Sequence, residues 1–226
     1  SYNYGTVVCK FKDTRMEKEL FEKDFIDKLN KNFPELSENF NFDLKIFTEL
    51  NTLIFEINKC LILEFHKASI TLTNYLLERL LKLALIYNKV GIGEIPIEKW
   101  NSIFEEPNRE YGTLELCNSI KLCDDFNLIS NEERKILDDI IRKLIRNGFS
   151  HADSSKILAE LPDETEIYLG SLRNQEELKE IKLNQKIIPI FQELNMETFA
   201  KATSKLYFNF VFDLIFKIEE RLIERK

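Results

Sequence analysis

The segment from about Ala68 to Asn88 constrains the fold most, because it is apolar nearly all the way round: Leu76, Leu77, Leu80, Leu81, Leu83, Ala84, Leu85 and Ile86 leave no continuous polar face. A helix of that kind cannot lie on a surface, so it belongs at the centre of a bundle with other helices laid against it. Gly91-Ile92-Gly93 ends it. The remaining helices have to supply the cover, and with 44% apolar residues in a 226-residue chain there is enough material to do so.

The flanking segments repeat their apolar residues at steps of three and four, which is helical spacing. A first helix is expected from about Thr14 to Asn32, with Leu20, Phe21, Phe25, Ile26 and Leu29 on one side and Pro34 closing it. Asp43 is placed to cap a second, in which Phe47, Leu50, Ile54, Ile57 and Leu61 form the inward stripe. Residues 94–112, which contain Pro96, Pro107 and Gly112, read as an irregular connection with one short helix around Ile97 to Phe104, and Trp100 there as a cover for the core. Thr113 is positioned to cap a helix whose Leu116, Ile120, Cys123 and Phe126 share a face.

Ser130 and Glu133 form a capping box for the next helix, in which Ile136, Leu137, Ile140, Ile141, Leu144 and Ile145 make the buried stripe. Asn147-Gly148 reads as its stop, since both residues tolerate the left-handed conformation. Ser154 to Glu160 restart a helix, Pro162 to Gln175 read as an exposed loop, and a final helix is expected from about Met196 to Arg225 with Phe199, Ala202, Leu206, Phe210, Leu214 and Ile218 packed along the bundle. Only Thr6 to Phe11 has the β-branched character of a strand. The expected fold class is therefore all-α, an up-and-down helical bundle in one domain over 1–226. Its core lies at about 43–160, with an N-terminal helical extension at 1–42 and a C-terminal helical region at 161–226.

No stretch approaches the roughly 18 apolar residues of a membrane span, and the N-terminus lacks the basic and apolar regions of a secretory signal, so the expectation is a cytoplasmic protein without a membrane partner. Cys9, Cys60, Cys117 and Cys123 contain no C-x-x-C pair, and two His are too few to complete zinc sites; the cysteines read as reduced, mostly buried thiols. No metal and no cofactor is called for. A formal charge of −7 argues against the broad basic surface that releases counterions from nucleic acid, and leaves room only for a small local site.

The candidate for such a site is Arg146-Asn147-Gly148-Phe149-Ser150-His151. Arg146 offers a planar fork of donors suited to phosphoryl oxygens, Asn147 both donates and accepts, and His151 titrates near neutral pH. The plain alternative is a solvent-exposed helix terminus, where a cation interacts favourably with the helix dipole. Glu78 has two readings: an i,i+4 ion pair with Lys82, or a side chain that leaves the central helix to hold Arg146. Ser150 has no base of its own in sequence, so support for a phosphate or ribose fits it better than nucleophilic attack. Asp138-Asp139 suggests a metal, but Asp139 can pair with Arg142 or Lys143 on a solvated face. His66 has no acid-base partner nearby in sequence and reads as structural.

An apolar central helix carrying Glu78, then Thr113 to Leu116, then Asn127-Leu128-Ile129-Ser130, then a helix ending in Arg146-Asn147 with His151 after it, resembles the HEPN superfamily of small all-helical domains. The resemblance covers about Ala68 to Leu158 and rests on the Arg-x4-His motif. It implies a HEPN-type bundle and a homodimer whose two motifs face each other in one composite, metal-independent endoribonuclease centre. Arg146 and His151 would be catalytic, Asn147 would be catalytic or orienting, and Glu78 and Ser150 would be supporting. It further implies an RNA substrate and a role as a toxin or antiphage effector, with a cognate antitoxin or defence-system partner. The different class of function left open is a non-catalytic HEPN-like module that binds a nucleotide, an RNA or a protein. Where one branch of the superfamily has a modifiable Tyr two residues after the His, this chain has Asp153.

Overall fold

The structure, a computed structural model, describes residues 17–150, 155–159, 161–169 and 179–225. The expected strand at Thr6 to Phe11, Cys9 and His151 lie outside these residues. What is described is all-α apart from one two-stranded hairpin.

The apolar segment forms α3, His66–Val90, in which Leu76, Leu77, Leu80, Leu81, Ala84 and Leu85 are sealed from solvent. Gly91 stops it at φ +84, ψ 165, a backbone conformation essentially reserved for glycine. Among the described residues the helices packed most extensively on α3 are α2 (Asn51–Ile62), α4 (Trp100–Tyr111), α5 (Leu116–Asp125) and the long α9 (Pro189–Ile223), of which α9 makes the most extensive pairing. Phe47, Leu50, Ile54, Ile57 and Leu61 are buried as their spacing requires.

Several boundaries depart from the sequence expectation for definable reasons. Helix α1 runs Lys18–Leu36 through Pro34, which removes only one backbone hydrogen bond near the helix end. Asp43 does not cap α2. The chain ahead of it is held by Glu219 of α9, whose buried carboxylate accepts the N–H groups of Ile46 at 2.7 Å, Phe47 at 2.9 Å and Lys45 at 3.2 Å. Residues 94–112 hold more helix than expected: a 3-10 turn over Ile97–Lys99 leads into α4, which continues through Pro107 to Tyr111 and packs on α3 edge-to-face through Phe104 and Tyr87. Glu115 rather than Thr113 stands at the N-cap of α5.

Burial of the thiols is mixed: Cys123 is buried, Cys60 half-buried and Cys117 exposed, all three unbridged. The stretch read as a loop after Pro162 contains β1, Glu164–Leu169, paired antiparallel with β2, Lys179–Asn184, in the register Glu164 to Asn184 and Leu169 to Lys179. Its alternation is masked in sequence by the charged residues between Ile167, Ile181 and Leu183. Helix α9 begins seven residues earlier than expected, and its inward face is Ala200, Ser204, Tyr207, Phe208, Val211, Ile215 and Ile218, while Ala202 and Leu206 of the expected stripe are exposed. That face was hidden because Phe residues recur on every side of the helix. Among the described residues no helix is long and apolar enough to cross a membrane.

Candidate functional site

The capping box at the start of α6, Asn131–Lys135, is formed in full: Ser130 Oγ accepts the Glu133 N–H at 3.2 Å and Glu133 accepts the Ser130 N–H at 2.7 Å. The helix then winds on as a π-helix over Ile136–Arg146 before returning to α geometry in α7, Asn147–Ser150. Hydrogen bonds reaching i→i+5 make a wider turn, which favours apolar steps of four over alternating threes and fours. Leu137, Ile141 and Ile145 are accordingly buried, whereas Ile140 is half exposed.

Asn147-Gly148 is therefore not a helix stop. Gly148 is buried within α7, and Phe149 stacks on Phe199 of α9 at 6.1 Å between ring centres. That tertiary contact outweighs the cost of about 1 kcal/mol that glycine brings to a helix interior.

Arg146 is the last residue of the π segment, and its Nε donates to Glu78 Oε1 at 3.1 Å. The structure thus gives Glu78 to Arg146 rather than to Lys82. Both side chains are partly exposed, so the pair lies at an accessible edge of the bundle instead of in its core. A buried polar floor lies close by: Tyr207 donates its hydroxyl to Asn74 Oδ1 at 2.9 Å, and burial, followed by the nearby Glu78 charge, drives the Tyr207 phenol pKa upward.

The π segment carries its other charges in local pairs. Arg142 holds Asp138 at 2.9 Å and Lys143 holds Asp139 at 2.6 Å, which gives Asp138-Asp139 the solvated-face role. Among the described residues no group of three or more His, Cys, Asp or Glu is placed to hold a metal ion.

On α3, Lys67, Thr71 and Glu78 recur at spacings of four and seven and so share one face. With Gly148, Phe149, Gln192 and Glu193, Lys67 and Thr71 line a cavity of about 310 Å³ between α3, α7 and α9. The sequence reading missed Lys67 and Thr71, although their helical phase with Glu78 would have found them. Lys67 pairs with Glu193 across the cavity. The structure therefore brings together Arg146, Glu78 and the backbone of Asn147 to Ser150. The side chains of Asn147 and Ser150, and the whole of His151, lie outside the described residues.

His66 starts α3, and its Nδ1 is 2.9 Å from Ser204 Oγ, a helix-to-helix tie that fits the structural reading. Burial lowers its pKa, with Glu64 acting in the opposite direction. Trp100 donates its indole N–H to Ile95 O at 3.0 Å and forms, with Arg79, Leu83, Tyr87 and Phe104, part of the wall of a cavity of about 590 Å³ between α3 and α4. No family model, curated protein or solved structure matches this chain.

Proposed function

We propose that this chain is a metal-independent endoribonuclease of the HEPN type, working as a homodimer in the cytoplasm as a toxin or antiphage effector under the control of a cognate antitoxin or defence partner. The observation that supports the reading best is the Glu78–Arg146 pair at 3.1 Å: the central helix fixes the orientation of the motif arginine. An arginine oriented in advance loses less conformational freedom when it meets a phosphate, and stabilises charge that develops there.

In the proposed reaction the ribose 2′-hydroxyl attacks the adjacent phosphorus. One His151 takes the hydroxyl proton as the O2′–P bond forms, and the His151 of the second copy protonates the departing 5′-oxygen as its bond to phosphorus breaks. The products are a 2′,3′-cyclic phosphate and a free 5′-hydroxyl. General acid and base assistance of this kind is worth roughly 10²–10⁴-fold. Arg146 stabilises the charge on the non-bridging oxygens, while Asn147 and Ser150 position the ribose or phosphate.

The test is cleavage of total RNA or tRNA by the purified chain in EDTA, with cyclic phosphate ends mapped. Loss of cleavage in both His151→Ala and Arg146→Ala is the expected result; undiminished cleavage by His151→Ala sinks the reading. The net charge of −7 favours a second one, a non-catalytic module that binds a nucleotide, RNA or protein. Tight RNA binding without turnover, measured calorimetrically, selects it.

A further inference from the structure

The cavity of about 590 Å³ between α3 and α4 has no part in the RNA reading, and helical phase builds its wall. Arg79, Leu83 and Ile86 stand at steps of four and three on α3, with Tyr87 next to them, while Trp100, Phe104 and Asn108 stand at steps of four on α4. Leu83 and Ile86 are buried and give the cavity an apolar side. Trp100 is 50% exposed, and its indole N–H is already spent on Ile95 O, so what it offers an incoming group is ring surface.

Charges of both signs flank Tyr87. Glu49, from the 3-10 turn ahead of α2, accepts the Tyr87 hydroxyl at 3.2 Å. Burial and then Glu49 push the Tyr87 phenol pKa up to about 12, and Arg79 is near enough for its charge to act on the same phenol in the opposite direction. Arg79 differs from the other partly buried arginines. Arg142, Arg146 and Arg221 each hold a carboxylate, whereas Arg79 has neither ion pair nor hydrogen bond among the described residues. Its fork of donors, suited to a carboxylate, is left to the cavity that it lines.

We propose that this cavity binds a free α-amino acid with a large apolar side chain, its carboxylate on Arg79, its ammonium beside Glu49 and its side chain against Leu83, Ile86 and Trp100. Charge balance selects that class. The lining sets two carboxylates, Glu49 and Glu105, against one guanidinium, so a phosphate dianion meets more repulsion than attraction. A simple amine leaves Arg79 facing a like charge, and a simple carboxylic acid brings its charge near Glu49 with nothing to offset it. A zwitterion answers both signs at no net charge. The volume falls within the range of about 300–1,000 Å³ typical of small-molecule sites, and the aromatic walls suit both an apolar side chain and an ammonium group.

Such binding is independent of the RNA reading and is tested without RNA. Trp100 is the only tryptophan in the chain, so its fluorescence reports this site alone. Titrating the full chain near neutral pH with phenylalanine, and with leucine as a non-aromatic probe, should change that fluorescence saturably with a Kd below about 1 mM, matched by calorimetry. Phenylalaninamide lacks the carboxylate and N-acetylphenylalanine lacks the ammonium, and each should bind at least about tenfold more weakly. These two also stand in for the ends of a peptide, so equal binding of either overturns the proposal. Arg79→Met keeps an apolar stem, and Glu49→Gln keeps an oxygen for the Tyr87 hydroxyl; each should weaken phenylalanine binding about tenfold with an unchanged far-ultraviolet circular dichroism spectrum. Arg109→Gln, at an exposed cation of α4 outside the cavity lining, should bind as wild type. No saturable response up to about 10 mM of either amino acid, indifference to Arg79→Met or Glu49→Gln, or an equal loss in Arg109→Gln overturns the proposal.

Discussion

Glu78 shows how much one side chain leaves open until the fold is known. In sequence it stands one turn ahead of Lys82, and that local pair is as reasonable as a distant one. The distant partner, Arg146, is 68 positions away, and whether its Nε meets Glu78 depends on the winding of the intervening helix. Both side chains are partly exposed, so the pair contributes no more than about 1 kcal/mol to stability. Glu78→Gln should therefore shift the urea midpoint little, yet lower the proposed RNA cleavage by about tenfold or more as Arg146 loses its fixed orientation. An unchanged cleavage rate in a folded variant would remove Glu78 from the supporting role. The rest of the motif was legible only as residue types: Arg146, Asn147 and His151 can be read as phosphate-handling chemistry, but their mutual geometry cannot be read from spacing.

At the scale of elements, local signals succeeded where the chain satisfies its own hydrogen bonds. The capping box at Ser130 and Glu133 is present as its spacing requires, and Gly91 ends α3 because its positive φ suits glycine. Gly91→Ala should cost about 1–3 kcal/mol, the strain of a side chain in that backbone region, read as a lower denaturation midpoint without loss of helicity. A neutral effect would mean that the residue relaxes to another conformation. Local signals failed where a distant group took over the backbone. Glu219 captures the N–H groups ahead of α2 and displaces Asp43 from capping, and the Phe149–Phe199 stack carries the helix through Asn147-Gly148. The hairpin β1–β2 escaped because its alternating Ile and Leu residues are diluted by charge.

At the scale of the whole molecule, polar ties across the bundle supplement the apolar core. Glu133 accepts two bonds from Arg221 of α9, at 2.7 and 3.1 Å, besides closing the capping box. Burial pushes its carboxyl upward, but Arg221, the Ser130 N–H and Lys217 outweigh that and hold it below the usual carboxylate range. A folded-state value below the unfolded one means that stability is present above about pH 4.3, the ordinary glutamate value, and is lost as the pH falls through the folded value. Glu133→Gln should cost about 3 kcal/mol at pH 7, because Arg221 is left without its charge partner. It should also flatten the acid limb of stability below about pH 4; urea titrations at pH 7 and in acid measure both. At the core, Leu80→Ala should lower stability by about 2–5 kcal/mol through the cavity it opens in α3, and a cost under about 1 kcal/mol would mean that α3 is not the packing centre.

Sequence by itself determined the all-helical class, the burial of α3 and the places where helices satisfy their own ends, because periodicity, capping and glycine conformation are properties of neighbours along the chain. Only the tertiary structure decided that the helix after Ser130 winds as a π-helix, that Glu78 meets Arg146, that α9 turns Phe208 inward and Leu206 outward, and that among the described residues Phe21, Phe25 and Ile26 of α1 stay exposed. Each of those outcomes is set by groups tens of residues apart competing for the same surface or hydrogen bond, a competition that exists only once the chain has closed on itself.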